Sequence, residues 1–217
     1  MKNIIQNIRR LFFDNSCTCC GEKASDNLIY LCYNCLDKIV RQKSLNKVGD
    51  TYYIWPYKGE FRKLLLEYKN NSRLALGKII SSLIEEEIFK VVYEEDIDYI
   101  VPIPINFRRE QIRGFNQVEE ILKNLNYSFL KTNRVKNNKK MFKILDKEKR
   151  ENNIKNSLKV DKEFNAKNIL IFDDIITTGA TIEEFKRELI KNGEVNKIVV
   201  FSLSASKTYM NSNKRMC

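Results

Sequence analysis

The segment KNILIF at residues 167–172 ends in four consecutive apolar residues, and it limits the choice of fold more than any other part of the chain. A strand that is apolar on both faces lies inside a sheet that helices cover on each side. Two further segments have this character, DIDYIVPIP at 96–104 and KIVVFSL at 197–203. Segments with the helical spacing of apolar residues separate them. The sequence therefore predicts an α/β fold with a mostly parallel sheet flanked by helices.

The other predicted elements are short. Pro102 and Pro104 predict that the strand within 96–104 ends near Val101, because proline cannot donate a hydrogen bond to a neighbouring strand. Residues 36–50 are polar and mixed in charge, which predicts a connector. The remaining expected elements are a strand at 51–57, helices at 60–68 and 74–92, a helix after Gly114 and a helix that begins near Thr181.

Five of the six cysteines fall within one short segment, CTCCGEKASDNLIYLCYNC. Cys17 and Cys20 form one C-x-x-C pair, Cys32 and Cys35 form a second, and eleven residues separate the pairs. Each pair can form a tight turn whose backbone N–H groups point at sulfur, and two such turns supply the four thiolates of a closed tetrahedral zinc site. With no open position, the zinc is expected to be structural and to supply folding energy to a small module.

Other interpretations of the cysteines are reduced core thiols or a redox pair. Cys19 has poor spacing for a metal ligand, and Cys217 is a terminal thiol with no evident role. The chain contains no histidine, which excludes histidine-based triads, a histidine general base and histidine metal ligands.

Two adjacent carboxylates, Asp173 and Asp174, follow the apolar run within the sequence ILIFDDIITTGAT. In an open α/β sheet, ligands bind beyond the carboxyl ends of the strands, where this pair is predicted to lie. The N–H groups at the start of the next helix favour a phosphate, and Gly179 permits close backbone approach. A ribose 5-phosphate group fits this order, with its hydroxyls on the carboxylates and its phosphate in the threonine loop. The alternative is a solvated acidic turn followed by threonine caps.

The stretch ILIFDDIITTGAT resembles the phosphoribosyl-diphosphate binding signature of type I phosphoribosyltransferases. The segment IVPIPINFRREQIRGFNQ at 100–117 is similar to the ComF family of competence-associated, phosphoribosyltransferase-like proteins, which also begin with a four-cysteine zinc module. YKGEFRKLLLEYK at 57–69 and RENN at 150–153 resemble further segments of that family. The resemblance spans roughly residues 17–205.

This resemblance implies a type I phosphoribosyltransferase-like domain at residues 46–217, preceded at 1–45 by an N-terminal helix and a zinc-ribbon module. It implies that Asp173 and Asp174 hold the ribose hydroxyls. The residues that it assigns to the 5-phosphate are Thr177, Thr178, Gly179, Ala180 and Thr181.

A diphosphate leaving group needs cations, because negative charge builds on it as its bond to the sugar breaks. Arg108, Arg109 and Arg113 follow the proline-terminated strand and are the candidates, with a helix-surface role as the alternative. Mg²⁺ is expected to be held largely by oxygens of the diphosphate and the ribose. The resemblance thus implies an enzyme that transfers a phosphoribosyl group from phosphoribosyl diphosphate to an unidentified acceptor.

The chain carries a formal net charge of +11, and residues 131–150 hold nine basic and two acidic side chains. This basic segment is either a solvated loop or an anion site for phosphates or nucleic acid. A second hypothesis is therefore a non-catalytic module for DNA uptake, with the zinc ribbon and the basic segment as contacts and the phosphoribosyl pocket as a sensor or relic. Its expected partners are single-stranded DNA and a competence helicase or other DNA-uptake proteins.

One segment departs from the family pattern. Between Arg134 and RENN, family members commonly carry a Thr-x-x-Gln element, whereas this chain reads NNKKMF, with Asn138 and Met141 at the corresponding positions. The departure bears on the acceptor site.

The N-terminus, MKNIIQNIRRLFF, lacks the apolar stretch and cleavage site of a signal peptide. Ile4, Ile5, Ile8 and Phe12 instead fall on one face of a predicted amphipathic helix. No apolar run approaches the ~18 residues that a membrane span needs. The protein is therefore expected to be cytoplasmic.

Overall fold

The computed structural model describes residues 16–70, 73–134, 158–159, 164–191 and 193–213. The strands are β1 (Asn46–Val48), β2 (Thr51–Pro56), β3 (Tyr99–Pro102), β4 (Asn133–Arg134), β5 (Leu158–Lys159), β6 (Phe164–Ile176) and β7 (Gly193–Ala205). The helices are α1 (Tyr33–Arg41), α2 (Gly59–Asn70), α3 (Leu74–Glu94), α4 (Phe107–Arg113), α5 (Gln117–Asn124), α6 (Ala180–Lys191) and α7 (Lys207–Asn213).

Five strands form one sheet in the order β1-β2-β7-β6-β3, and β4 pairs with β5 in a separate two-stranded sheet. Within the larger sheet β2, β7, β6 and β3 are mutually parallel, and β1 is antiparallel to β2 at the edge. The carboxyl ends of four parallel strands therefore meet on one side of the sheet. The predicted α/β fold with a mostly parallel sheet is confirmed.

Helices cover both faces of the sheet, and each face has its own buried cluster. On one face, Ile80 of α3 lies in a cluster with Phe172 of β6. On the other face, Phe185 of α6 lies in a cluster with Ile171. Neighbouring residues of β6 thus enter different clusters, which is why the sequence of this strand is apolar without alternation.

The prediction of a connector at residues 36–50 is wrong. This segment contains most of α1 and the whole of β1. Ile39 is 1% exposed and belongs to the main core. The helix begins at Tyr33, inside the cysteine-rich segment, so the range 36–50 contains only its later part, which is too short to show a helical period by itself. The helix α4 is also absent from the prediction, because none of its residues is buried.

The cysteine-rich segment shares its core with the sheet. Cys17 and Cys35 belong to the same buried cluster as Trp55 and Phe61. The indole N–H of Trp55 donates to the Ile39 carbonyl at 2.9 Å, and its ring stacks on Phe61 with centroids 4.0 Å apart. Apolar contact and a buried hydrogen bond therefore join the cysteine-rich segment and α1 to β2 and α2. The division into two domains after residue 45 stays a prediction.

Some of the predicted segments fall outside the described residues. They are the N-terminal amphipathic helix within residues 1–15, most of the basic segment with the departure at 138 and 141, and the RENN segment. Among the helices of the described ranges, none combines the length and the apolar composition that crossing a bilayer requires.

Glu95, just after α3, binds two lysines and a tyrosine from three strands. Lys47 Nζ lies 2.8 Å from Oε1, Lys197 Nζ lies 3.0 Å from Oε2, and the Tyr52 hydroxyl donates to Oε1. Hydrogen bonds from Lys47 and Tyr52 lower the pKa of Glu95 to about 2. The cluster ties α3 to β1, β2 and β7 on the side of the sheet opposite to the carboxyl strand ends.

We expect Glu95→Gln to lower the free energy of unfolding by about 1 kcal/mol near neutral pH. The folded-state pKa lies below the ordinary value of 4.5, so this contribution is fully present above pH 4.5 and is lost as the pH falls toward 2. Urea unfolding across this pH range measures the difference between parent and variant, with the exposed Glu86→Gln as control. A difference that stays constant at every pH would contradict the role given to Glu95.

Candidate functional site

The four cysteines of the two C-x-x-C pairs lie together. The Sγ atoms of Cys17, Cys20, Cys32 and Cys35 are all within 4.8 Å of one another, and those of Cys20 and Cys32 are 3.8 Å apart. Four sulfurs bound to zinc at ~2.3 Å form a tetrahedron with edges of ~3.8 Å. The cluster could hold a metal ion, and its ligand set fits a structural zinc site.

Local backbone geometry builds this cluster. The chain turns after Cys17, where the Gly21 N–H donates to the Cys17 carbonyl at 2.8 Å. The second pair spans the start of α1, where Cys32 caps the helix and its Sγ accepts from the Cys35 N–H at 3.5 Å. Burial alone would raise the pKa of the Cys17 thiol, but neighbouring backbone N–H groups lower it to about 6. These N–H groups favour the thiolate at Cys17, which is the form that binds metal, whereas burial raises the pKa of the Cys35 thiol.

Cys19 is buried beside the cluster without belonging to it. Its Sγ donates to the Glu60 carbonyl at 3.4 Å, and its own carbonyl accepts from Lys63 Nζ at 2.6 Å. Burial raises the pKa of the Cys19 thiol to about 11. This cysteine attaches the module to α2, a role that the sequence did not indicate.

The acidic pair lies within the last part of β6 and not beyond its end. The strand continues past the predicted end at Phe172 to Ile176, because β7 runs beside it and pairs Ser202 with Asp173. Successive side chains of a strand point to opposite faces, so the two carboxylates face different sides of the sheet. Asp174 is 5% exposed, whereas Asp173 is half-buried and accepts from the Asp174 N–H at 2.8 Å. One ligand that contacts both carboxylates must therefore lie across the end of the strand.

Two side chains from neighbouring helices contact Asp174. Lys69 Nζ, near the end of α2, lies 2.7 Å from Oδ2, and the amide of Gln117, the first residue of α5, donates to the same oxygen. The side-chain Oε1 of Gln117 accepts a hydrogen bond from Arg113 Nη1. The backbone carbonyl of Gln117 accepts one from the Tyr68 hydroxyl at 2.9 Å. One cation thus neutralises the buried carboxylate, and a single amide joins that carboxylate to a second cation.

Of the three arginines predicted to meet a diphosphate, Arg113 is the one that lies beside the acidic pair. Burial lowers the pKa of its guanidinium, and the charge of Asp174 opposes that effect. Arg109 is close enough for its like charge to lower the pKa of Arg113 further. Arg108 is exposed on the first turn of α4, where its N–H donates to the Asn106 side chain at 3.0 Å.

The predicted phosphate loop forms the turn between β6 and α6. Gly179 has a φ of +80°, and the Thr178 hydroxyl accepts from the N–H of Ala180, the first residue of α6, at 3.5 Å. Tyr209 of α7 packs against this turn, since a Cβ added at Gly179 would lie 3.2 Å from its ring. The five residues assigned to the 5-phosphate, from Thr177 to Thr181, are thus placed on one turn and the start of one helix.

Sequence reasoning missed the side chains that contact these predicted residues. Lys69 and Gln117 lie inside the two segments that resemble the ComF family, but no local pattern marks either as a partner of an aspartate far along the chain. Tyr209 lies in a short polar helix without an apolar period. Only the topology brings these residues to the carboxyl end of β6.

No protein-family model matches the chain. It is 30% identical to competence protein ComFC of Streptococcus pneumoniae over 155 residues, which are 69% of this chain and 66% of that protein, just under two thirds. It is 25% identical to competence protein ComFC of Bacillus subtilis, over 88% of this chain and 78% of that protein. It is also 25% identical to DNA utilization protein YhgH of Escherichia coli, over 82% of this chain and 78% of that protein. These similarities cover most of the chain and support its assignment to the ComF family.

Proposed function

We propose that the chain is a cytoplasmic, phosphoribosyltransferase-like protein that binds phosphoribosyl diphosphate with Mg²⁺ at the carboxyl end of β6. One observation carries the proposal. A carboxylate pair, a turn at Gly179 and the N-terminus of α6 follow one another directly, and Arg113 lies beside the pair. The two carboxylates can accept hydrogen bonds from sugar hydroxyls. On one side of them the N-terminus of α6 can bind a phosphate, and on the other Arg113 supplies a positive charge.

In this proposal Asp173 and Asp174 accept hydrogen bonds from the ribose hydroxyls. The turn after β6 binds the 5-phosphate through N–H groups at the start of α6, with hydroxyl donors from Thr177, Thr178 and Thr181. Gly179 permits the phosphate to approach the backbone, because glycine has no Cβ and readily adopts a positive φ. The zinc cluster has a structural role and takes no part in the reaction.

The proposed reaction breaks the bond between the anomeric carbon and the diphosphate oxygen, whose electron pair leaves with the diphosphate. A nucleophile forms the new bond at that carbon and gives up its proton. Arg113, with Arg109 and Arg108 on the same helix, stabilises the charge that develops on the diphosphate. Mg²⁺ is bound mainly through oxygens of the substrate.

Diphosphate release tests transfer directly. The zinc-loaded protein is mixed with phosphoribosyl diphosphate, Mg²⁺ and a panel of purine and pyrimidine bases, and released diphosphate is measured. We expect release with at least one acceptor, and at least a 100-fold lower rate for Asp173→Asn, because the ribose then loses an ionised acceptor near the reacting carbon. Equal release by parent and variant would contradict the assignment.

A second candidate function is a non-catalytic module for single-stranded DNA in competence and DNA uptake. One observation favours it: the relatives carry competence and DNA-utilization names. Binding would fall steeply with salt, because contacts to phosphates release counterions. Charge reversal at Lys136, Lys139, Lys140 and Lys143 should then abolish DNA binding and leave phosphoribosyl diphosphate binding intact. DNA binding that survives these changes would exclude the basic segment as the contact.

A further inference from the structure

Lys69 and Gln117 hold the buried carboxylate of the acidic pair from two different helices. We propose that both are positioning residues of the phosphoribosyl diphosphate site, which fix the orientation of Asp174 and balance its charge. The inference rests on the proposed function and adds to it two residues that contact the carboxylate and not the ligand.

The geometry selects one oxygen of Asp174 for the ligand. Lys69 Nζ, at 2.7 Å, and the Gln117 amide both contact Oδ2. Within the described ranges, Lys69 and Gln117 are the side chains that form an ion pair or a hydrogen bond with Asp174. With Oδ2 held in this way, Oδ1 is the oxygen through which the carboxylate accepts a ribose hydroxyl.

Lys69 and Gln117 are themselves held in one packed unit. Tyr68, the neighbour of Lys69 in α2, is fully buried and donates its hydroxyl to the Gln117 carbonyl at 2.9 Å. Its ring packs so closely on α3 that a Cβ added at Gly77 would lie 2.9 Å away. The start of α5 is therefore hydrogen-bonded to the end of α2, and the Asp174 carboxylate contacts a side chain from each of these helices.

Charge balance gives Lys69 its second effect. The ligand is a multiply charged anion, and two uncompensated carboxylates at its site would repel it. Lys69 is close enough to neutralise Asp174, and the Lys69 side chain is only 15% exposed, so solvent screens this interaction weakly. Without Lys69 the acidic pair attracts a divalent cation instead, and ligand binding comes to depend on that cation.

The test is calorimetric titration of the zinc-loaded protein with phosphoribosyl diphosphate at low and at high Mg²⁺ concentration. We expect Lys69→Met to weaken binding at low Mg²⁺ by about 10-fold or more, and high Mg²⁺ to recover a large part of the loss. Lys69→Arg keeps the charge and should stay within about 3-fold of the parent. A purely structural lysine would change stability and leave the Mg²⁺ dependence unaltered.

Gln117→Glu tests the same idea from the other helix with a side chain of the same size. It places a carboxylate against Asp174 and should also make binding more dependent on Mg²⁺. The matched control is Lys90→Met, which breaks an exposed ion pair with Glu94 at 3.8 Å and should leave binding unchanged. Thermal unfolding midpoints confirm that each variant is folded before titration.

The outcomes separate this inference from the proposed function. If the parent binds phosphoribosyl diphosphate and both Lys69→Met and Gln117→Glu bind it equally at either Mg²⁺ concentration, the positioning role is overturned and the site assignment survives. If the parent itself does not bind, the proposed function fails, and the positioning role fails with it. Weaker binding whose Mg²⁺ dependence matches that of the parent also overturns the charge-balance role.

Discussion

Cys35→Ser is expected to remove the metal site and to lower the thermal unfolding midpoint of the whole chain by about 10 °C or more. Cys35 is 2% exposed and lies in the same apolar cluster as Trp55 and Phe61. Loss of one of four thiolates leaves a module that is too small to fold on its own core. Because that module shares its core with β2 and α2, we expect a loss of about 4 kcal/mol or more in the free energy of unfolding. Differential scanning calorimetry and the zinc-to-protein ratio measure the two effects.

Cys19→Ser is the matched control for this prediction. Cys19 is 4% exposed, close to the 2% of Cys35, and lies in the same segment, but its Sγ contacts a carbonyl of α2 and not the cluster. We expect it to retain one zinc ion per chain with a much smaller loss of stability. Full zinc content in Cys35→Ser, or loss of zinc in Cys19→Ser, would contradict the ligand assignment.

Gly179→Val is expected to weaken binding of phosphoribosyl diphosphate by about 100-fold or more. The residue has a φ of +80°, which a β-branched side chain strongly disfavours, and the new Cβ would lie 3.2 Å from the Tyr209 ring. The turn must therefore change shape, and the N–H groups at the start of α6 would lose the arrangement that we propose for the phosphate. Isothermal calorimetry with Mg²⁺ measures the affinity.

The control for backbone strain is Gly59→Val. Gly59 also has a positive φ, +57°, but a Cβ there meets no atom within 4 Å, and the residue starts α2. Both variants should lose about 1–3 kcal/mol of stability through strain, and only Gly179→Val should lose affinity. Binding by Gly179→Val within about 3-fold of the parent would show that this turn is not the phosphate site.

The sequence was informative where each residue's role depends on its neighbours along the chain. The apolar run before Asp173 predicted a strand covered on both faces, and the structure places Ile171 and Phe172 in two different buried clusters. The spacing of Cys17, Cys20, Cys32 and Cys35 predicted a tetrahedral thiolate set, and their sulfurs are brought together as that spacing requires. Both features can be predicted from periodicity and local motifs, because the residues that define each of them lie close together in the sequence.

The features that the sequence did not predict depend on contacts between distant segments. The end of β6 was placed at Phe172, but the pairing partner that extends it to Ile176 is supplied by β7. The lysine partner of Asp174 lies on α2, more than a hundred residues earlier, and is brought there by the strand order. Residues 36–50 were predicted as a connector because only the later part of α1 falls in that range, although Ile39 is buried in the shared core.

The most direct test of the central claim is calorimetric titration of the zinc-loaded parent with phosphoribosyl diphosphate and Mg²⁺, with Asp173→Asn and the double variant Asp173→Asn, Asp174→Asn alongside. Asp173→Asn leaves the ion pair between Asp174 and Lys69 in place, whereas Asp174→Asn removes it. We predict saturable binding at one site per chain, a large loss of affinity in Asp173→Asn and complete loss in the double variant. Absence of binding by the folded, zinc-loaded parent would contradict the account and would favour the DNA-binding alternative.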